Sequence, residues 1–177
     1  GSAGDFYAGG ISGFNEKGIS ASIYQMWTTT YRSRYSGHKG NIAPFLQQRI
    51  LREASSVDEA IALIRNSGNF ASWAIVVSDS RTGEVASIEL SGRKVSVARR
   101  VRNEALWQSN LFLSPEMKGE YQTLTFGKYF DAIQRGESVS TALDEARGPL
   151  DLAWAASALA AHGQPTRAFG GTVSTPF

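Results

Sequence analysis

The chain has 177 residues, of which 42% are hydrophobic, and this is enough for the core of one domain spanning residues 1–177. Its 18 basic and 16 acidic residues leave a net charge of +2, which is too small for a protein that binds nucleic acid or a membrane surface by charge. With no cysteine and two histidines, the sequence excludes disulfides, thiolate zinc sites and a cysteine nucleophile within these residues, and we expect neither a metal nor a cofactor.

The N-terminal part predicts a hairpin followed by a long loop. Residues 1–2 (Gly-Ser) are typical of an expression scar and carry no argument about the fold. Residues 11–14 and 19–27 flank the turn sequence Asn-Glu-Lys-Gly at 15–18, which predicts two antiparallel strands. Residues 28–41 are polar, aromatic and glycine-containing, so we expect a surface loop of a length that is often functional.

Two helices should follow and form one helical layer. Residues 43–54 carry apolar side chains at four-residue spacing. The sequence Ser-Val-Asp-Glu at 56–59 is typical of a capping box, in which the Ser56 hydroxyl accepts from the amide of Glu59 and the Glu59 carboxylate reaches back.

The middle of the chain predicts three strands in a meander. Residues 72–79 are almost continuously apolar, so we expect a central strand that is covered on both sides. Residues 85–90 and 94–101 alternate, and each follows a glycine-containing turn. Alternation in the last strand places three valines on one face: Val95, Val97 and Val101.

The C-terminal part is mainly helical. Residues 121–134 predict one helix, Ser138 is expected to cap another, and the alanine-rich residues 151–162 predict a third. Residues 166–177 look extended. Because strands and helices come in groups and do not alternate, the pattern predicts a layered α+β domain.

Few residues indicate chemistry on local motifs alone. The chain contains no Gly-x-Ser-x-Gly elbow, phosphate-binding loop or dinucleotide fingerprint. Asp79 and Glu89 lie on neighbouring predicted strands, where they could form an acid–base pair, or be ordinary turn and surface carboxylates. The basic residues 99–102 could bind phosphate, although a solvated strand end fits one short cluster better.

Several motifs occur in the order and spacing of a known family. Residues 13–19 (Gly-Phe-Asn-Glu-Lys-Gly-Ile) match a Gly-Met-Asn-Glu-Lys-Gly-Leu hairpin in which Asn and Gly form the turn. Residues 45–61 match a helix pair, and residues 72–84 match a strand that ends in Asp-x-x-Gly. Looser matches follow at residues 88–90, 109–112 and 172–174. Taken together, the chain resembles the acyl-CoA:6-aminopenicillanic-acid acyltransferase family, which is related to the choloylglycine (bile-salt) hydrolases and penicillin V acylases.

The resemblance implies the fold of the N-terminal-nucleophile (Ntn) hydrolases, a four-layer αββα sandwich with antiparallel sheets. It also implies an amidase or acyltransferase acting on a small-molecule amide or acyl donor. In this family a cysteine, exposed as a free N-terminus by autoproteolysis, attacks the carbonyl much as in a thiol protease, and its own α-amino group is the base. Hydrogen-bond donors then stabilise the tetrahedral oxyanion.

The resemblance also implies four site residues. Asn110 matches the asparagine that donates to the oxyanion, and a loop asparagine with a local turn bond is its alternative. Tyr24 matches a second oxyanion or substrate-contacting position, and a core aromatic residue is its alternative. Trp27 is a candidate for substrate binding, and the loop at 28–41 would line the acyl pocket. Lys128, also a candidate for substrate binding, falls near a Ser-x-x-Arg motif of the family, and if it substitutes for that arginine, bidentate pairing is lost.

The family's nucleophile precedes the hairpin motif, and this chain contains no cysteine. The chain therefore corresponds to the C-terminal two-thirds of such an enzyme, and three hypotheses remain open. It is a truncated piece, or one chain of an assembly whose first part is separate, or a member that has lost catalysis. In the first two cases its partner is the segment that carries the nucleophile, in a homo- or hetero-oligomer. In the third it is a non-catalytic scaffold or binding domain.

Overall fold

The computed structural model describes residues 10–26, 40–68, 71–91, 94–120, 126–148 and 150–160. In these residues five strands form one antiparallel sheet, and their order across the sheet follows the chain. The strands are β1 (Ser12–Phe14), β2 (Ile19–Gln25), β3 (Trp73–Asp79), β4 (Glu84–Leu90) and β5 (Val95–Arg102).

Four α-helices accompany the sheet in the described part of the chain. They are α1 (Ala43–Glu53), α2 (Val57–Asn66), α3 (Phe126–Glu145) and α4 (Leu152–Ala160), with a 3-10 helix at Pro115–Glu120 between β5 and α3. α1 contacts β1, β2 and β3, and α2 contacts β3 and β4, so these two helices cover one face of the sheet. None of the described helices combines the length and the apolar character that crossing a membrane would need.

The main apolar core lies between the sheet and the α1–α2 layer. Because successive side chains of a strand point to opposite faces, β3 turns Trp73, Ile75 and Val77 to this core. β4 alternates as predicted and turns Ala86, Ile88 and Leu90 to the same core. Burying each large aliphatic side chain contributes about 1.5–3 kcal/mol. The helices add buried side chains at helical spacing: Leu46, Ile50, Val57, Ala60, Ile61 and Ile64. β3 is central, as predicted.

The turn between β1 and β2 is tied to the end of α1 by Asn15. Its Nδ2 donates to the carbonyls of Leu51 and Ala54 at 2.8 and 3.1 Å. Its Oδ1 accepts from the backbone amides of Lys17 and Ile19 at 3.0 and 2.9 Å. One side chain therefore closes the predicted turn and also satisfies two carbonyls at a helix end, which lack partners within the helix.

Two glycines of the same hairpin are needed for different reasons. Gly18 has a φ of +82°, and a Cβ there would lie 2.6 Å from Ser80 Oγ. Gly13 lies against α1, where a Cβ would lie 2.7 Å from Leu51 Cδ1. The hairpin sequence therefore encodes both the turn and the close approach of α1.

α2 begins at the predicted capping box. The amide of Glu59 donates to Ser56 Oγ at 3.1 Å. The Glu59 carboxylate reaches back, but its Oε2 accepts from the amide of Ser55 at 2.7 Å, one residue before the N-cap. The box thus satisfies two amides at the start of the helix.

A β-bulge changes which side chains of β5 face the core. Val95 and Val97 pack against the core, as predicted. The register then shifts opposite Ser87 and Ile88, where β5 contains one extra residue. Because an extra residue turns the rest of a strand over, Val101 lies on the other face, and the prediction that it joins the other two valines is wrong.

The same bulge brings Arg100 to the side of α2. Its Nη1 donates to Asp58 at 2.8 Å and its Nε donates to Glu84 at 2.6 Å. Hydrogen bonding to these two carboxylates raises the pKa of Arg100, and the pKa of Asp58 is lowered in return. The basic residues 99–102 thus end a strand with surface ion pairs, as expected for a solvated strand end.

The prediction of two helices between residues 121 and 146 is wrong, because α3 runs without a break. Ser138 lies within this helix and caps nothing. A glycine inside a helix usually costs about 1 kcal/mol, but Gly136 has a packing reason. A Cβ at Gly136 would lie 2.8 Å from the Trp107 ring, so the glycine lets α3 approach that side chain. The alanine-rich stretch forms α4, as predicted.

The predicted α+β class with an antiparallel sheet is confirmed. The described residues contain one sheet, whose second face, opposite α1 and α2, carries half-buried serines and Phe14, which is 85% exposed. An αββα sandwich places its other sheet against such a face. The loop expected at residues 28–41, apart from its last two residues, and the extended tail expected at 166–177 lie outside the described residues.

Replacing Asn15 with alanine should lower the free energy of unfolding by about 2–4 kcal/mol, because four hydrogen bonds worth about 1 kcal/mol each are lost. Asn15→Asp should also destabilise the protein, since a carboxylate oxygen would then face two carbonyl oxygens. Urea unfolding followed by circular dichroism measures both changes. Glu16→Ala, at the neighbouring exposed position of the turn, is the control and should stay within about 0.5 kcal/mol of the wild type. An equally small change for Asn15→Ala would contradict its role.

Candidate functional site

The second face of the sheet carries the candidate site. Cross-strand pairing places Tyr24, Ala74, Glu89 and Ser96 in one row across this face. The segment of residues 103–114, which connects β5 to the 3-10 helix, is anchored on this face by the contacts described next. We call it the connecting segment.

Glu89 anchors the end of the connecting segment. Its side chain is fully buried, and its two carboxylate oxygens accept from the backbone amides of Leu113 at 2.5 Å and Ser114 at 3.1 Å. The hydroxyls of Ser114 and Ser96 lie 2.7 Å apart. Burial raises the pKa of Glu89 above its ordinary value, the two amides oppose this shift, and the charge of Glu116 adds to it. The amides therefore offset part of the cost of burying the carboxylate.

Gln108 holds the middle of the connecting segment in a turn. Its Nε2 donates to the carbonyls of Ser109 and Leu111, both at 2.8 Å. Its Oε1 accepts from Ser87 Oγ at 2.6 Å, which ties the turn to β4. Ser109 is buried, and its hydroxyl has no hydrogen-bond partner among the described residues. The turn presents the residue between the two bonded carbonyls, Asn110, to the end of β2.

Both ends of the Asn110 side-chain amide are bound. Its Nδ2 donates to the carbonyl of Gln25 at 2.8 Å, and its Oδ1 accepts from Nη2 of Arg135 in α3 at 3.1 Å. The Nε of the same guanidinium donates to Asp131 Oδ2 at 2.9 Å. Because a carbonyl can only accept and a guanidinium can only donate, these partners determine which end of the amide is nitrogen.

This orientation leaves the second N–H of Asn110 without a hydrogen-bond partner among the described residues. A neutral amide N–H needs no proton transfer to act as a donor, and a donor that is already held in place need not reorganise when charge develops. The arrangement can therefore supply a fixed hydrogen bond to an oxyanion.

The structure brings Asn110 to the strand position next to Tyr24, since its partner Gln25 follows Tyr24 in β2. The Tyr24 side chain is half-buried on the second face, and burial raises the pKa of its phenol, so the hydroxyl is neutral at neutral pH. Trp27 lies outside the described residues. Lys128 lies in the first turn of α3, but its side chain also lies outside them. The roles of all four residues remain predictions.

Sequence reasoning missed the roles of three residues of this site. Glu89 was considered for acid–base work but not as an anchor, and its amide partners are 24 and 25 residues away. Arg135 is 25 residues from Asn110 and belongs to no local motif. The role of Gln108 has a local signal, because its side chain donates to the carbonyls one and three residues later in the chain. Such short-range bonds are typical of a residue that closes a turn.

Asp79 and Glu89 do not form an acid–base pair, because they lie on opposite faces of the sheet. Asp79 accepts from Arg81 Nη2 at 3.0 Å at the turn that follows β3, and this hydrogen bond lowers its pKa. The alternative of a turn carboxylate is therefore confirmed for Asp79. The alternative of a surface carboxylate is wrong for Glu89, which is buried.

A separate groove of about 590 Å³ follows the outer edge of the sheet, lined by Arg65, Lys94, Glu116 and residues 95–97. It includes neither Asn110 nor Tyr24. Within the described ranges, no group of three His, Cys, Asp or Glu side chains is placed to hold a metal ion.

Comparisons with known proteins bear on these residues. The model of the family described as acyl-coenzyme A:6-aminopenicillanic acid acyl-transferase matches residues 3–146, which include all four candidate residues. No curated protein matches the chain. Among solved structures, penicillin V acylase from Agrobacterium tumefaciens matches with a TM-score of 0.46 and 16% identity, over 80% of this chain and 39% of that one. The chain thus spans well under half the length of that protein.

Replacing Glu89 with glutamine should remove part of the pH dependence of stability. Because burial raises the pKa of Glu89, the folded protein holds this proton more tightly than the unfolded chain, whose glutamates titrate near about pH 4.3. The stabilising contribution of Glu89 is therefore largest below that pH and is lost as the pH rises through the folded-state pKa. The pKa of the neighbouring Glu116 is lowered, so its contribution has the opposite sign: it is present above the unfolded-state value and is lost as the pH falls.

Urea unfolding of both proteins between about pH 4 and pH 8 measures this effect. The stability of the wild type relative to Glu89→Gln should fall as the pH rises. Glu104→Gln, an exposed change in the same connecting segment that also removes one carboxylate, is the matched control for the substitution itself. Parallel profiles for the wild type and Glu89→Gln would show that Glu89 does not titrate as described.

Proposed function

Because the chain belongs to the acyl-coenzyme A:6-aminopenicillanic acid acyl-transferase family, we propose that it forms the oxyanion-binding part of an active site that cleaves linear amides or transfers acyl groups. Membership of the family confirms the resemblance drawn from the motifs. The proposed substrate is a small molecule with an amide or an activated acyl group, and the proposed reaction uses no cofactor.

One observation carries the proposal. Asn110, the residue that matches the family's oxyanion-donating asparagine, has its amide held by Gln25 and Arg135 and has one N–H left over among the described residues. A loop asparagine that only closes a turn would bond locally, whereas these partners are 85 and 25 residues away. Long-range anchoring of a donor supports a catalytic role over the turn alternative.

In the proposed reaction a cysteine thiolate attacks the carbonyl carbon, and the electron pair of the C=O bond moves onto oxygen. Asn110 donates its remaining N–H to that oxygen as the negative charge develops. When the tetrahedral species collapses, the carbon–nitrogen or carbon–sulfur bond breaks, and the leaving group takes the proton that the cysteine's α-amino group had accepted. The acyl group then passes from sulfur to water or to an amine.

The other candidates take supporting roles in the same proposal. Tyr24, whose phenol is neutral and whose side chain lies on the second face, is proposed to donate to the oxyanion or to contact the substrate. Trp27 and the loop at residues 28–41 are proposed to line the acyl pocket. Lys128, at the start of α3, is proposed to contact the substrate as a single positive charge.

The nucleophile is proposed to come from polypeptide outside these 177 residues, which contain no cysteine. Its exposure as a free N-terminus by autoproteolysis belongs to the same proposal. The same absence favours a second candidate function, in which the chain is a scaffold or binding domain that keeps the family's fold without its chemistry.

Asn110→Ala in the complete protein should lower kcat by at least about a hundredfold, because an oxyanion donor acts in the transition state. KM should change little, since ground-state binding does not use this hydrogen bond. Hydrolysis of a panel of N-acyl p-nitroanilides measures both constants. Asn66→Ala, at the exposed end of α2, is the matched control. An unchanged kcat would remove Asn110 from the mechanism.

Alkylation of the complete protein with iodoacetamide should abolish turnover, since a thiolate is the proposed nucleophile. Peptide mass spectrometry should then locate the modified cysteine at a free N-terminus. Full activity after complete alkylation would reject the thiolate mechanism. A complete protein without any cysteine would reject it too and would favour the second candidate.

A further inference from the structure

We propose that Arg135 is a positioning residue that orients the Asn110 amide, with Asp131 holding Arg135 in place. The inference rests on the proposed oxyanion role of Asn110, and it adds a residue on which the direction of that donor depends. Arg135 lies two helical turns beyond Lys128, which falls near the position of the family's arginine.

The guanidinium uses one edge for two different tasks. Its Nε donates to Asp131 Oδ2 at 2.9 Å, one helical turn earlier in α3. Its Nη2, on the same edge, donates to Asn110 Oδ1 at 3.1 Å. The contact with Asp131 restrains the long Arg135 side chain, which is 41% exposed. A planar group with two donors on one edge can serve both partners at once.

The bond from Arg135 has two consequences for Asn110. If the amide turned over, its oxygen would face the Gln25 carbonyl and its nitrogen would face the guanidinium, so both bonds would be lost. Arg135 therefore resists rotation that would turn the remaining N–H away from the substrate. A positive charge at Oδ1 also polarises the amide, which makes the N–H a stronger donor.

A purely structural role for Arg135 would be to attach α3 to the connecting segment. That attachment already has another source, because Gly136, the next residue, packs against the ring of Trp107. Removing the guanidinium should therefore leave α3 in place while it frees one end of the Asn110 amide. This separates the positioning role from simple attachment.

The test is a double-mutant cycle in the complete enzyme with Arg135→Met, Asn110→Ala and the combination. Arg135→Met should lower kcat roughly tenfold with little change in KM, within the hundredfold that misplacing a catalytic group by about 1 Å can cost. In the Asn110→Ala background it should change kcat by less than about twofold, because residues that act as a unit are not additive. Arg135→Lys should restore part of the loss. Arg147→Met, beyond the end of α3, is the control.

A second readout does not depend on activity. In the NMR spectrum of the complete protein, Arg135→Met should shift the side-chain amide resonances of Asn110 and speed their exchange with solvent, while urea unfolding shows the protein still folded. Unchanged resonances, an unchanged kcat for Arg135→Met, or full additivity in the cycle would each overturn the positioning role. If instead Asn110→Ala leaves kcat unchanged, the proposed oxyanion role fails, and the NMR result still decides whether Arg135 orients the amide.

Discussion

The buried carboxylate of Glu89 determines where the connecting segment can lie. A carboxylate withdrawn from water carries a desolvation cost of several kcal/mol, so its oxygens must have hydrogen-bond donors. Here both donors are backbone amides of the connecting segment, from Leu113 and Ser114. If the segment left the sheet, the carboxylate would lose both of its hydrogen-bond donors. The position of Asn110, three residues before Leu113, follows from this constraint and from the turn that Gln108 closes.

The two faces of the sheet are stabilised by different physics. One face is apolar and closes against α1 and α2 mainly by burying side chains, whereas the second face binds the connecting segment by hydrogen bonds in which Ser87, Glu89 and Ser96 take part. The hairpin motif that carries the family resemblance belongs to the first of these. Its Asn15 bonds residues 36 and 39 positions away and docks α1 on the sheet. The most recognisable motif is therefore a signature of the scaffold, and the chemistry has to be argued from the site itself.

Local patterns predicted most of the fold, because periodicity, turns and caps are set by neighbouring residues. The strands β1 to β5, the first two helices and the capping box at Ser56 are of this kind. Val101 was placed on the wrong face because a bulge depends on how two strands pair. The break expected before Ser138 does not occur. Gly136 is a packing residue, because its missing side chain lets α3 approach Trp107, which is distant in sequence. For the site, the family motif led to Asn110, but Arg135 has no sequence signal, because only the folded chain brings the two together.

An asparagine backed by an arginine suits the proposed chemistry better than an arginine pointing directly at the substrate. Arg135 is paired with Asp131 behind the amide, so the group that would meet the substrate is the neutral amide of Asn110. A bare cation at that position would bind a carboxylate product as well as the transition state, and such binding does not accelerate the chemical step. A neutral donor held at both ends favours the oxyanion selectively, because the carbonyl oxygen gains its negative charge only in the transition state. In the proposed function, the long-range bonds of Asn110 keep a neutral donor in one direction, as the stabilisation of an oxyanion requires.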